Sequence, residues 1–295
     1  MELQKILVQL DSDPQTSVFD SVVAVDAGVD HLFRHSQVTP DAVRDLVYGA
    51  MFTRGPEQLH HTAVFVGGSN VAAGEELIER VKECFFGPMR VSVMLDSNGA
   101  NTTAAAAVLA GAKHLELRGA RALVLAATGP VGSRVVRLLA REGAEVRAAS
   151  RDASRAASVC ERVKATVKDA QVTACQVATP EELESALEGV DVVFTAGAAG
   201  IELVPEKVRE GCQSLRVAID LNAVPPLGIG GIEVTDRGKD YGGVICYGAI
   251  GVGGTKMKIH RAAIQRLFES NDQVLDAEEV FEIGRESSAG KPDGS

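Results

Sequence analysis

A doubly wound α/β fold is predicted for this 295-residue chain on three observations. Short apolar runs of strand length alternate with helix-length segments from one end to the other. The runs are continuous rather than alternating in polarity, which fits strands buried on both faces of parallel sheets. Apolar residues make up 45% of the chain, and its length suffices for two domains with substantial cores.

The elements follow in order. "KILVQL" (5–10) reads as a strand, and "SVFDSVVAVDAG" (17–28) as a helix stopped by Gly28. "TPDAVRDLVYGAMF" (39–52) is a helix with Thr39 as N-cap and Pro40 in its first turn. "TAVFVGG" (62–68) is a strand, "AAGEELIERVKECFF" (72–86) a helix, and "VSVMLD" (91–96) a third strand. "NTTAAAAVLAGAKH" (101–114) is a helix of small residues. A domain boundary is expected near residues 114–119. "GARALVLAA" (119–127), "AEVRAAS" (144–150), "VDVVFTAG" (190–197) and "LRVAIDLN" (215–222) are further strands. Between them lie "VGSRVVRLLAREG" (131–143) and "TPEELESALEGVD" (179–191), the latter with a capping box of Thr179 and Glu182. The helices "KMKIHRAAIQRLFES" and "DAEEVFEIGRES" are expected to return to the first domain, and the tail "SSAGKPDGS" to be disordered.

Composition excludes several classes. The net charge of −10 and the lack of a basic run argue against nucleic acid. Aromatics at 4% and the absence of tryptophan leave no stacking platform. No apolar segment approaches the roughly 20 residues that span a bilayer. The start "MELQKILVQLDSD" does not resemble a signal peptide, and the five cysteines form no CxxC pair. A cytoplasmic protein with reduced thiols, no membrane contact and no metal is expected.

"ATGPVG" (127–132) carries the first functional reading. A dinucleotide turn needs small residues for the turn, for approach of the pyrophosphate, and for helix–strand packing. Ala127, Gly129 and Gly132 occupy those places, with Thr128, Pro130 and Val131 between them. The helix N-terminus that follows offers N–H groups to phosphate. At the next strand end stand Ser150 and Arg151, where an NAD-binding turn has a carboxylate. A hydroxyl and a guanidinium favour the 2′-phosphate of NADP over NAD, with Asp152 capping the next helix. A purely structural turn is the remaining alternative. Ala196 and Gly197 in "TAGAAG", and Asn222 in "LNAVPPLGIGG", lie at strand ends of the same rim and are further cofactor candidates.

Other motifs weigh less. "GVGGTK" (251–256) lacks the glycine-lysine-serine/threonine order of a phosphate-binding Walker loop, and reads as a flexible loop near a ligand. "MLDSNGANTT" (94–103) puts more polar groups at one strand end than helix capping needs. Asp20 sits among apolar neighbours and wants a partner.

These residues resemble the NADP-dependent methylene-tetrahydromethanopterin dehydrogenases of bacterial one-carbon metabolism, some of which also accept methylene-tetrahydrofolate. The resemblance runs from about residue 5 to 285 and is strongest in "SVFDSVVAVDAGVDH", "FFGPMRVSVMLDSNGANTTAAA", "ATGPVG", "LNAVPPLGIGGIEVTDRGKDYGG" and "GAIGVGGTKMKIHRA". It implies two α/β domains with a cleft. A pterin-binding domain (1–116), completed by C-terminal helices (255–295), would join a doubly wound Rossmann-type NADP domain (117–254). The implied reaction passes a hydride from the one-carbon bridge of the pterin to NADP+, leaving a methenyl cation. Lys256, Asp20 and Asp96 would serve the chemistry, and Asn98, Thr102 and Gly253 would hold the pterin. The family suggests a homo-oligomer, with a trimer as one form. Related folate dehydrogenase–cyclohydrolases carry a Tyr-x-x-x-Lys pair; here Tyr48 is followed by Phe52, so little cyclohydrolase activity is expected. The rival readings are an NADP-dependent oxidoreductase of a small keto or hydroxy acid, and a non-catalytic NADP-binding sensor.

Overall fold

The computed structural model describes residues 3–289. They fall into two compact units, one holding the chain up to Thr102 together with the segment from Met257 onward, the other Thr103–Lys256. In chain order the first unit begins with β1 (Ile6–Leu10), α1 (Val18–Asp26), β2 (His31–His35), α2 (Val43–Met51), β3 (Thr62–Val66), α3 (Val71–Glu83) and β4 (Ser92–Leu95), and the division falls within α4 (Ala100–Ala112). The second follows with β5 (Arg121–Leu125), α5 (Pro130–Arg141), β6 (Glu145–Ser150), α6 (Ala153–Thr166), β7 (Val172–Gln176), α7 (Pro180–Leu187), β8 (Val192–Thr195), α8 (Glu206–Gly211), β9 (Val217–Asp220), β10 (Arg237–Tyr241) and β11 (Val244–Tyr247). Helix α9 (Ala249–Arg266) leads back to β12 (Val274–Leu275) and α10 (Ala277–Ala289).

The first unit is a parallel five-stranded sheet in the order β12-β4-β3-β1-β2. Its central strands are fully buried because every residue of Thr62–Val66 and Ser92–Leu95 is apolar or hydrogen-bonded. Val64, Val66 and Val93 pack against Val43, Val47 and Met51 of α2 and Leu77 and Val81 of α3. The strand order reverses direction between β1 and β3, so the crevice for a ligand lies outside their carboxyl ends.

The second unit is a seven-stranded sheet in the order β7-β6-β5-β8-β9-β11-β10. All pairings are parallel except the β10–β11 hairpin. That hairpin turns on Gly242 and Gly243, whose φ of 68° and 97° suits a two-residue turn. Here the order reverses between β5 and β8, which sets the crevice beside residues 126 and 196. The α/β class and the Rossmann-type sheet read from the sequence are both present.

Five strands were not read from the sequence: β2, β7, β10, β11 and β12. The capping box of Thr179 and Glu182 forms, whereas Thr39 makes no side-chain cap and Pro40–Ala42 is a separate 3₁₀ turn. "GVGGTK" is not a loop: it lies inside α9. A Cβ on Gly251 would stand 1.8 Å from the Asp236 carbonyl oxygen, so glycine there lets the helix press against the preceding backbone. Of the expected disordered tail, Ser287 and Ser288 are helical and donate to the carbonyls of Ile283 and Gly284; the segment beyond 289 lies outside the described residues.

Candidate active site

In the second unit the turn after β5 takes the shape a dinucleotide loop requires. Ala126, not Ala127, adopts the left-handed conformation, with φ of 57°, and Ala127 is buried. A Cβ on Gly132 would lie 2.5 Å from the Ala126 carbonyl oxygen, so close helix–strand packing demands glycine there. Gly129 would meet nothing nearer than 3.4 Å, so its bareness serves an approach from outside the chain. Gly129 is also the N-cap of α5 and supplies no side-chain cap, and Pro130 occupies the first turn. The dipole and N–H groups of that helix end are left to a phosphate.

Beside the turn is a cavity of about 320 Å³ lined by Ala126, Thr128, Ser150, Arg151, Arg155 and Gly197 among others. Of the residues read as cofactor candidates, Thr128, Ser150, Arg151 and Gly197 line it, and so does Arg155, which the sequence reading did not single out. The Asp152 carboxylate between the two arginines accepts from the Ser154 hydroxyl (2.7 Å) and from the main-chain N–H groups of Ser154 (2.8 Å) and Arg155 (3.2 Å). Those bonds, that of the hydroxyl first, hold its pKa below the usual carboxylate range. Asp152 is therefore committed to capping α6. Among the described residues neither Arg151 nor Arg155 is held by an ion pair. Two exposed guanidiniums at the mouth of this cavity fit a 2′-phosphate. A signal existed for Arg155: it stands in the first turn of α6, where the helix dipole opposes a cation.

Ala196 donates its N–H to the Leu125 carbonyl, which joins the ends of β5 and β8. Asn222 is also tied into its own loop. It is buried, its Nδ2 donates to the Pro226 carbonyl (3.1 Å), and its Oδ1 accepts from the Val224 N–H (3.0 Å). It braces its own loop, which contains the cis Pro225–Pro226 bond. Asp220, unnoticed in the sequence, anchors the same loop: it accepts from Thr195 Oγ1 (2.6 Å) and from the main-chain N–H groups of Asn222, Gly228 and Ile229 (2.9, 2.7 and 3.2 Å).

In the first unit the rim at β1 and β3 holds Asp11, Asp20 and Gly67. Ser17 caps α1, accepting from the Asp20 N–H (3.2 Å), so the Asp20 carboxylate lies in the first turn, where the helix dipole favours its charge. A Cβ on Gly67 would be 3.6 Å from an oxygen of both Asp20 and Asp11 and 3.0 Å from the Phe65 ring. Asp11 is fully buried and accepts from the N–H groups of Asp13 and Ser17, whereas Asp20 is half-buried and reachable.

The polar cluster at the end of β4 divides in two. Asp96 is 1% exposed. It accepts from the N–H groups of Asn101 and Thr102 (both 3.0 Å) and from Thr102 Oγ1 (2.7 Å). Asp96 and the fully buried Thr102 thus bond to one another where α4 starts. Ser97 Oγ donates to the Gly67 carbonyl, tying this rim to that of β3 (2.7 Å). Asn98 alone of the six polar residues is exposed, in a left-handed conformation with φ of 55°. Gly253 and Lys256 both lie on α9, half-buried. A Cβ on Gly253 would meet nothing within 4 Å.

Among the described residues no group of histidine, cysteine and carboxylate side chains is arranged for a metal. Burial pushes the thiols of Cys84 and Cys160 up, and that of Cys246 to about 11, so these are inert packing groups rather than nucleophiles.

Comparison with known proteins adds to this geometry. Residues 18–98 match the family model for methylene-tetrahydromethanopterin dehydrogenase, N-terminal, and residues 126–226 match one for NAD(P)H-binding. The bifunctional protein MdtA of Methylorubrum extorquens is 48% identical over 285 residues, 96% of this chain and 99% of that one. The chain belongs to the methylene-tetrahydromethanopterin dehydrogenase family. A second relative, the NAD(P)-dependent methylenetetrahydromethanopterin dehydrogenase of the same organism, is 29% identical, with 96% and 98% of the two chains covered. Among solved structures, shikimate 5-dehydrogenase from Listeria monocytogenes is 14% identical and covers 95% of this chain and 96% of its own, with a TM-score of 0.55. That likeness concerns the fold alone.

The arginine pair makes a direct prediction. Arg151→Ala and Arg155→Ala should each raise KM for NADP about 10- to 100-fold, the worth of one charge-assisted contact, and leave KM for NAD within about twofold. Steady-state kinetics with both cofactors checks this; equal losses for NADP and NAD would remove the 2′-phosphate assignment.

Proposed function

We propose that this chain oxidises the bridge carbon of methylene-tetrahydromethanopterin, or of methylene-tetrahydrofolate, to the methenyl form and passes the hydride to NADP+. The observation that carries the reading is the match of residues 18–98 to the dehydrogenase family model. That stretch builds the first unit's rim, with Asp20 and Asn98 on it. Family membership sets aside the keto-acid and sensor readings.

NADP+ supplies the hydride acceptor, its C4 carbon. Gly129 and the α5 N-terminus hold its pyrophosphate, and Ser150, Arg151 and Arg155 hold the 2′-phosphate. The methenyl product is a cation shared between two nitrogens, and no proton leaves the reacting carbon. The residues therefore need to align two rings at roughly 3–3.5 Å and to oppose a growing positive charge. Asp20 is the carboxylate for that task, seated in the first turn of α1 where the helix dipole favours a negative group. Asn98 orients the pterin. Lys256 contacts the pterin carbonyl or a bridge nitrogen, and Gly253 leaves room beside it. We assign the protein to the cytoplasm, a compartment in which its five free cysteines stay reduced.

We assign it a homo-oligomeric state as well. Val18, Val22 and Val25 form one stripe on α1 and are 69%, 53% and 62% exposed, with Phe33 of the neighbouring edge strand 51% exposed. Exposed apolar side chains of this kind suit a second copy of the chain.

Two outcomes are expected. With methylene-tetrahydromethanopterin and methylene-tetrahydrofolate offered against NADP and NAD, the chain reduces NADP with at least one pterin, and Lys256→Ala lowers kcat about 100-fold, as loss of alignment does. No turnover with either pterin would end the reading. By analytical ultracentrifugation the native chain sediments as an oligomer and the Val22→Asp, Val25→Asp variant as a single chain; a native monomer would contradict the assembly.

A further inference from the structure

Lys256 and His260 are four residues apart on α9 and so leave the helix on one face. His260 is fully buried. Its ring stacks on Phe65 of β3, with centroids 5.7 Å apart and planes at 21°, and Phe19 of α1 stands 6.4 Å away. Its Nδ1 lies 3.9 Å from Oδ2 of Asp96, the buried carboxylate that starts α4. One imidazole thus stands against the end of β3, the end of β4 and the first turn of α1. Purely apolar side chains would fill this position without the cost of burying a polar ring beside a carboxylate. What the imidazole adds is direction: a flat face against Phe65 and one polar edge toward Asp96.

We propose that His260 is a positioning residue, which fixes the rotation of α9 about its own axis and thereby the direction in which Lys256 projects. The proposal rests on the reading of Lys256 as a pterin contact. A helix turned by a small angle displaces a long side chain by an ångström or so, and misplacement by about 1 Å is worth on the order of 100-fold in rate. Substitution of His260 should therefore appear in kcat for the methylene pterin, while KM for NADP, which is bound by the second unit's own residues, stays within about twofold.

The test is a double-mutant cycle on the full-length enzyme with Lys256→Ala, His260→Phe and the pair, reading kcat and both KM values. Phenylalanine keeps the stacking on Phe65 and removes the edge toward Asp96. His260→Phe alone should lower kcat about 10- to 100-fold. In the Lys256→Ala background it should cost less than about twofold more, because the group it positions is gone. Should His260→Phe prove insoluble, His260→Asn, too short to bridge to Asp96, takes its place in the same cycle. Unchanged kcat in the single His260 variant, or equal fractional losses in both backgrounds, overturns the inference while leaving Lys256 in place. If Lys256→Ala itself turns over like the native enzyme, the reading of Lys256 fails first and takes this inference with it.

Discussion

A buried carboxylate at the carboxyl end of a strand, saturated by main-chain N–H groups, is the interaction on which both rims depend. It occurs at Asp11 after β1, at Asp96 after β4 and at Asp220 closing β9, each no more than 1% exposed. Each accepts at least two N–H groups from the chain that follows it. A buried carboxylate without such donors would be prohibitively costly, and charge-assisted bonds of this type are worth about 1.5–3 kcal/mol each. Loop and carboxylate are therefore bound to one another: the loop keeps its shape because the charge must be satisfied. Ligands of doubly wound sheets bind on such loops, so the rigidity of the site begins with these aspartates.

That arrangement separates two kinds of acidic residue that look alike in sequence. Asp96 and Asp220 hold the frame and are unreachable. Asp20, in the first turn of a helix and half-buried, keeps an accessible charge. A reaction that moves a hydride and no proton needs little more from the protein than such a frame with a few charges placed on it.

The central strands were legible because burial on both faces writes an unbroken apolar run, as in "TAVFV" and "VSVML". The edge strands were not. "HLFRH", "VTACQ" and "RGKDY" each face solvent along much of their length, so their polarity is mixed and their run is lost. "GVGGTK" misled for another reason. Its glycines imply a loop by propensity, yet Gly251 is there because α9 passes within contact of the Asp236 carbonyl, a tertiary fact that local sequence does not display. Thr102 and Asn222 were read as ligand contacts from residue type, which does not display the carboxylate and main-chain partners they hold. Arg155 was the reverse case, a cation placed against a helix dipole, for which the strain itself was the clue.

The central claim is direct transfer between two aligned rings, without acid–base assistance at the reacting carbon. It is tested most directly by supplying methylene pterin dideuterated at the bridge, in ordinary water, and locating the label in the NADPH formed. The account predicts one deuterium at C4 of the nicotinamide in every product molecule. NADPH carrying hydrogen from solvent at that carbon would contradict it.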